Sequence, residues 1–109
     1  MTIENTSVFD GVGVNNDSGS LTIMIADDLS WSNAGYHILC LQRKISACLD
    51  YINSGQYLEE VPDSQHLSRV IELVYKDQPD TIGRQVYDNV AVQLEELGIR
   101  FVARGLPVT

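Results

Sequence analysis

Residues 37–55, HILCLQRKISACLDYINSG, decide how this chain folds. Ile38, Leu41, Ile45, Cys48, Leu49 and Ile52 recur at steps of three and four, so they form one stripe of an α-helix. Arg43, Lys44, Ser46, Asp50 and Asn53 are expected on the opposite, solvated side. Gly55 is expected to close the helix as a left-handed cap, the conformation glycine adopts at least cost. The reading is a helix laid on a core.

Upstream, Val8-Phe9-Asp10-Gly11-Val12-Gly13-Val14 alternates, with Val8, Val12 and Val14 on one face and two glycines on the other. Asn15 to Ser20 is a turn cluster, because Asn, Asp and Gly tolerate positive φ and bond their own backbone. Leu21, Ile23 and Ile25 alternate again, which completes a β-hairpin. Asp27 to Asn33 leads into the helix, with Ser32 or Asn33 as its cap and Trp31 as a lid on the core. Downstream, Gln56 to Asp63 reads as an irregular acidic segment that Pro62 keeps from becoming helix. Val70 to Tyr75 is apolar on nearly both faces, which predicts a central third strand. Asp80, with Thr81 as the alternative, caps a second helix from Thr81 to Leu97. Its inner stripe is expected to hold Ile82, Val86, Val90 and Leu94 or Leu97. Gly98 ends it, and Ile99 to Ala103 forms the last strand.

The order β-β-α-β-α-β predicts an α+β two-layer sandwich, with both helices on one face of a four-stranded, mainly antiparallel sheet. A chain of 109 residues, with 44% hydrophobic and 20% charged residues and no internal repeat or linker, is expected to be a single domain over 1–109. Such a core needs neither a metal nor a disulfide. Cys40 and Cys48 lie about 12 Å apart along one helix, too far for a disulfide, so free thiols and a reducing compartment are expected. The N-terminus lacks a basic start and an apolar run, and no stretch is apolar enough to span a bilayer. A soluble cytoplasmic protein without membrane partners is the expectation.

Fifteen acidic against seven basic side chains give a formal net charge of -8 and a pI near 4.4. Nucleic acid is therefore an unexpected partner, since binding it requires basic side chains against phosphates. A basic protein is the expected one. Glu59, Glu60, Asp63, Asp77, Asp80, Asp88, Glu95 and Glu96 crowd the second half, with Arg84 the only basic residue between Asp77 and Arg100. A solvated face is the ordinary explanation. The sharper one is an acidic docking surface with Tyr57, Tyr75 or Tyr87 as aromatic anchors.

Catalytic patterns are scarce. His37 and Cys40 stand at i, i+3 on the first helix and could share a metal or form a thiolate–imidazolium pair, but no third ligand accompanies them. A first-turn surface histidine is the plainer reading. Asp27-Asp28 ends a strand, with Asp10 on its partner, a placement suited to cation or acid–base chemistry and equally to turns and helix starts. Asn15 to Gly19 lacks the downstream glutamate of a calcium loop and is read as a turn. No phosphate loop, nucleophile elbow, CxxC or HExxH occurs. The expectation is thus no catalytic residue, no metal and no cofactor.

Two segments resemble a bacterial family of short proteins known as a domain of unknown function. VFDGVGVNNDSGSLTIMIADDLSW is similar to its opening hairpin and tryptophan, and LQRKISACLDYINSGQ to its helix. The resemblance spans the first two-thirds of the chain and implies a fold and a bacterial cytoplasmic setting. It brings no site residues. The functional expectation is a non-enzymatic protein-binding domain, most concretely an immunity protein that neutralises a basic toxin domain with Glu59, Glu60, Asp63, Asp80, Asp88, Glu95, Glu96, Tyr57 and Tyr87. The rivals are a small enzyme or ligand- or metal-binding domain built on Asp10, Asp27, Asp28 and His37, and a homodimer formed through an exposed sheet face.

Overall fold

A computed structural model describes residues 3–4, 11–15, 19–55 and 68–105. Strands β1 (Gly11–Asn15) and β2 (Ser20–Asp27) form the hairpin. A single 3-10 turn (Trp31–Asn33) runs into helix α1 (Ala34–Ser54), and β3 (Ser68–Tyr75), helix α2 (Thr81–Glu96) and β4 (Ile99–Gly105) follow. The architecture is α+β, in the order β-β-α-β-α-β.

The sheet runs β1-β2-β3-β4. It is not mainly antiparallel: β1 and β2 are antiparallel, whereas β2–β3 and β3–β4 are parallel. The reason is the connections. A tight turn reverses the chain between β1 and β2, but a helix that returns the chain to the neighbouring strand's starting edge makes the next strand parallel. Two such crossovers taken in the same direction leave both helices on one face.

Alternation along the strands marks that face. Leu21, Ile23, Ile25, Ile71 and Leu73 are buried there together with Ile99, while Phe101 and Ala103 pack on the same core. Met24, Ala26, Val70, Val74 and Val102 lie on the opposite face and take no part in the core cluster.

The helix stripes differ from the sequence reading by a rotation. In α1 the buried positions are His37, Cys40, Leu41, Lys44, Ile45, Cys48, Tyr51 and Ile52. Lys44, expected in solvent, is 0% exposed, and His37, expected at the surface, is wholly buried. In α2 the buried positions are Gly83, Tyr87, Val90 and Leu94, while Ile82 is 51% exposed. Gly83 faces Trp31 so closely that a Cβ would stand 2.7 Å from Trp31 Cε2. That near-contact fixes the rotation of α2 and turns Ile82 outward. Caps follow the sequence: Asn33 Oδ1 accepts from Tyr36 N, Asp80 Oδ1 accepts from Gly83 N at 2.9 Å, and Gly55 and Gly98 take positive φ.

Candidate functional site

Asp27 is the last residue of β2, and the same parity that buries Leu21, Ile23 and Ile25 drives its carboxylate under the helices. His37, in the first turn of α1, meets it: His37 Nε2 lies 2.6 Å from Asp27 Oδ2, with both side chains fully buried. The other ring nitrogen, Nδ1, lies 3.1 Å from the Ser30 carbonyl oxygen. A carbonyl only accepts, so Nδ1 carries a proton and the Nε2–Oδ2 contact shares one more. From α2, the Tyr87 hydroxyl donates to the same Oδ2 at 2.6 Å, and Leu29 N donates to Oδ1 at 3.3 Å.

Aromatic rings close the cluster. Trp31 stacks on His37, centroids 3.7 Å apart, and presents its edge to Tyr87. Tyr75 and Phe101 flank Tyr87 on its other sides. Burial first, then the hydrogen bond to Asp27 and its charge, hold the Tyr87 phenol protonated far above its ordinary range. The Trp31 indole acts weakly in the opposite sense, and its Nε1 has no hydrogen-bond partner of ordinary geometry. Cys48, buried in α1, has its thiol pushed up to about 12 by burial, against a smaller lowering by the Lys44 charge.

Chemically this is an acid–base pair turned inward. Both imidazole nitrogens are engaged, Oδ2 serves two partners, and neither Asp27 nor His37 reaches solvent. The bonds join the end of β2, the start of α1 and the middle of α2, which makes the cluster a clamp on three elements. His37 does not pair with Cys40, because its nitrogens are turned to Ser30 and Asp27. Asp28 is exposed beside the cluster, and Asp10 lies outside the described residues. Among the described residues no three His, Cys, Asp or Glu side chains gather as metal ligands. A cavity of about 630 Å³ lies at the opposite end of the sheet, lined among others by Ser68, Arg69, Ala91, Glu95, Ile99 and Phe101.

The acidic set is divided. Glu59, Glu60, Asp63 and Tyr57 lie outside the described residues. Asp88, Glu95 and Glu96 are exposed on α2, and Asp80 is exposed but spends one carboxylate oxygen on its cap. Tyr87 is corrected: only 5% exposed, it belongs to the buried clamp and offers no anchor. The sequence reading missed Val92 and offered Leu97 for the inner stripe, but they are 58% and 62% exposed, between and beside the α2 carboxylates, and Leu94 takes the inner place. Their mismatch with a solvated acidic face was the available signal.

The model of a family of unknown function, DUF6572, matches residues 1–106. The chain belongs to the DUF6572 family. No curated protein and no solved structure matches it. For this DUF6572 chain the reading of function therefore rests on its own residues. No described helix is long and apolar enough to cross a membrane.

Proposed function

We propose that this chain is a non-enzymatic protein-binding domain whose outer α2 face docks a basic protein partner. The observation that supports this reading is a contrast: the acid–base groups Asp27, His37 and Tyr87 are sealed and bonded to one another, while Asp88, Glu95 and Glu96 stand in solvent around Val92 and Leu97. Carboxylates ringing exposed aliphatic side chains suit a partner that brings Lys or Arg around a small apolar contact. An immunity protein that covers the basic cleft of a toxin domain is the most concrete form of the reading. A bacterial cytoplasmic setting belongs to it, supported by two buried free thiols.

Affinity capture at low salt, with the intact chain as bait, tests the proposal. The expected result is a basic protein that elutes as salt rises and is lost with the triple substitution Asp88→Asn, Glu95→Gln, Glu96→Gln. Equal capture by the neutralised chain overturns it. The enzymatic rival draws on the 2.6 Å Asp27–His37 contact and requires the Trp31 turn to open. Turnover of any substrate that is abolished by His37→Gln in a still-folded chain would favour that rival.

A further inference from the structure

We propose that the helix-free face of the sheet pairs with the same face of a second copy about a two-fold axis parallel to the strands. In register across the sheet this face carries Gly13, Thr22, Val70 and Arg100 in one row, and Gly11, Met24, Glu72 and Val102 in the next. Ala26, Val74 and Arg104 make a third. Around Glu72 its middle is apolar, with Met24 37% exposed, and no described element lies over it.

Charge selects a second copy for this face and not for the other. Of the exposed acids of the described chain, Asp50, Asp88, Glu95 and Glu96 lie on the helices and Glu4, Asp28, Asp77 and Asp80 outside the helices and strands. Two copies meeting by their helical faces would set these carboxylates against each other. The sheet face instead carries Glu72, Arg100 and Arg104, and Arg104 Nε already donates to Glu72 Oε1 at 2.8 Å. Despite the net charge of -8, this surface sets two cations against one anion and does not repel a second copy of itself.

Relief selects the axis. The β4 edge is tall, with Arg100 and Arg104, and the β1 edge is low at Gly11 and Gly13. A two-fold axis along the strands lays β4 of each copy over β1 of the other and keeps the rows level. Each Arg100 then lies over the other copy's Gly13, and each Met24 meets the other copy's Glu72, already paired with Arg104, with Val70 and Val74 on either side. Sheets so aligned pack about 10 Å apart. Four strands at ~4.8 Å spacing give roughly 400 Å² per copy, about 800 Å² in all and below the ~1,000 Å² of a stable specific interface, so the dimer is weak and concentration-dependent. Both acidic α2 faces remain outward.

Gly13 supplies a clean test. It is exposed, its φ is ordinary, and no atom lies within 4 Å of a Cβ built there. A side chain at this position therefore leaves the monomer intact, which unchanged thermal melts verify. Sedimentation equilibrium up to about 1 mM is expected to show a monomer–dimer equilibrium for the natural chain. Gly13→Lys, set against Arg100 twice in the pair, weakens it about ten-fold or more, whereas Gly13→Glu, which meets Arg100 with opposite charge, does not. A natural chain monomeric throughout overturns the proposal, as does equal behaviour of the two substitutions. Loss of association on neutralising Asp88, Glu95 and Glu96 instead would overturn it in favour of head-to-tail contact.

Discussion

Replacing Tyr87 by phenylalanine removes one oxygen and leaves a ring of the same shape between Trp31, Tyr75 and Phe101. Packing is preserved, so the loss isolates the 2.6 Å bond to Asp27 Oδ2. A hydrogen bond to a charged or proton-sharing carboxyl is worth about 1.5–3 kcal/mol, and 1 kcal/mol moves the melting point of a domain near this size by about 4–8 °C. The expected fall in Tm is about 6–24 °C, with a lower urea midpoint and an unchanged m-value. Alkali gives a second readout. The folded phenol is held protonated well above the unfolded value, so its contribution is complete below about pH 10 and fades as the unfolded chain ionises above that pH. The stability difference between the natural chain and its Tyr87→Phe variant therefore narrows as the medium grows more alkaline than that. A double-mutant cycle with His37→Gln should show coupling of about 0.5–3 kcal/mol through the shared carboxylate. A Tyr87→Phe chain within about 0.5 kcal/mol of the natural one at neutral pH would refute the clamp and return Asp27 and His37 to consideration as working acid–base groups.

Two glycines in helices should respond oppositely to alanine. Gly83→Ala gains helix propensity of about 1 kcal/mol but drives a methyl against Trp31 and Pro79, so equilibrium unfolding should show net destabilisation. Gly35→Ala, whose Cβ would meet nothing nearer than 4.0 Å, should stabilise by about 0.4–1 kcal/mol in the same assay. At Asp80, alanine removes the cap to Gly83 N and should cost about 1 kcal/mol in thermal melts, whereas Asp80→Asn keeps the cap. Cys48, with its thiol pushed up to about 12, should resist a thiol reagent at mildly alkaline pH until denaturant unfolds the chain, because a thiolate is required for attack.

Local chemistry is legible in the sequence and long-range geometry is not. The hairpin, both helices and the caps at Asn33, Gly55, Asp80 and Gly98 follow from residues that act within a few positions of themselves. Hydropathy alone misplaces the α1 stripe: Lys44 stands three residues after Leu41 and four before Cys48, so spacing puts it inside although its charge argues outside. Gly83 gives way to Ile82 in the sequence reading because the partner that selects a glycine, Trp31, lies some fifty residues earlier. Parallel pairing depends on which strands become neighbours, a property no local pattern carries. In the candidate site, the sequence names Asp27 and His37, ten residues apart, together at the strand–helix junction, but it assigns Tyr87, sixty residues from Asp27, to the surface.

The chain has one tryptophan, and it lies flat on the imidazole of the clamp. Its fluorescence is thus a resident optical gauge of this single spot, free of background from any other indole. Emission followed beside far-ultraviolet dichroism during heating compares the rupture of the Asp27–His37–Tyr87 junction with the melting of the helices. Superimposed curves mean that the junction and the scaffold part company in one step.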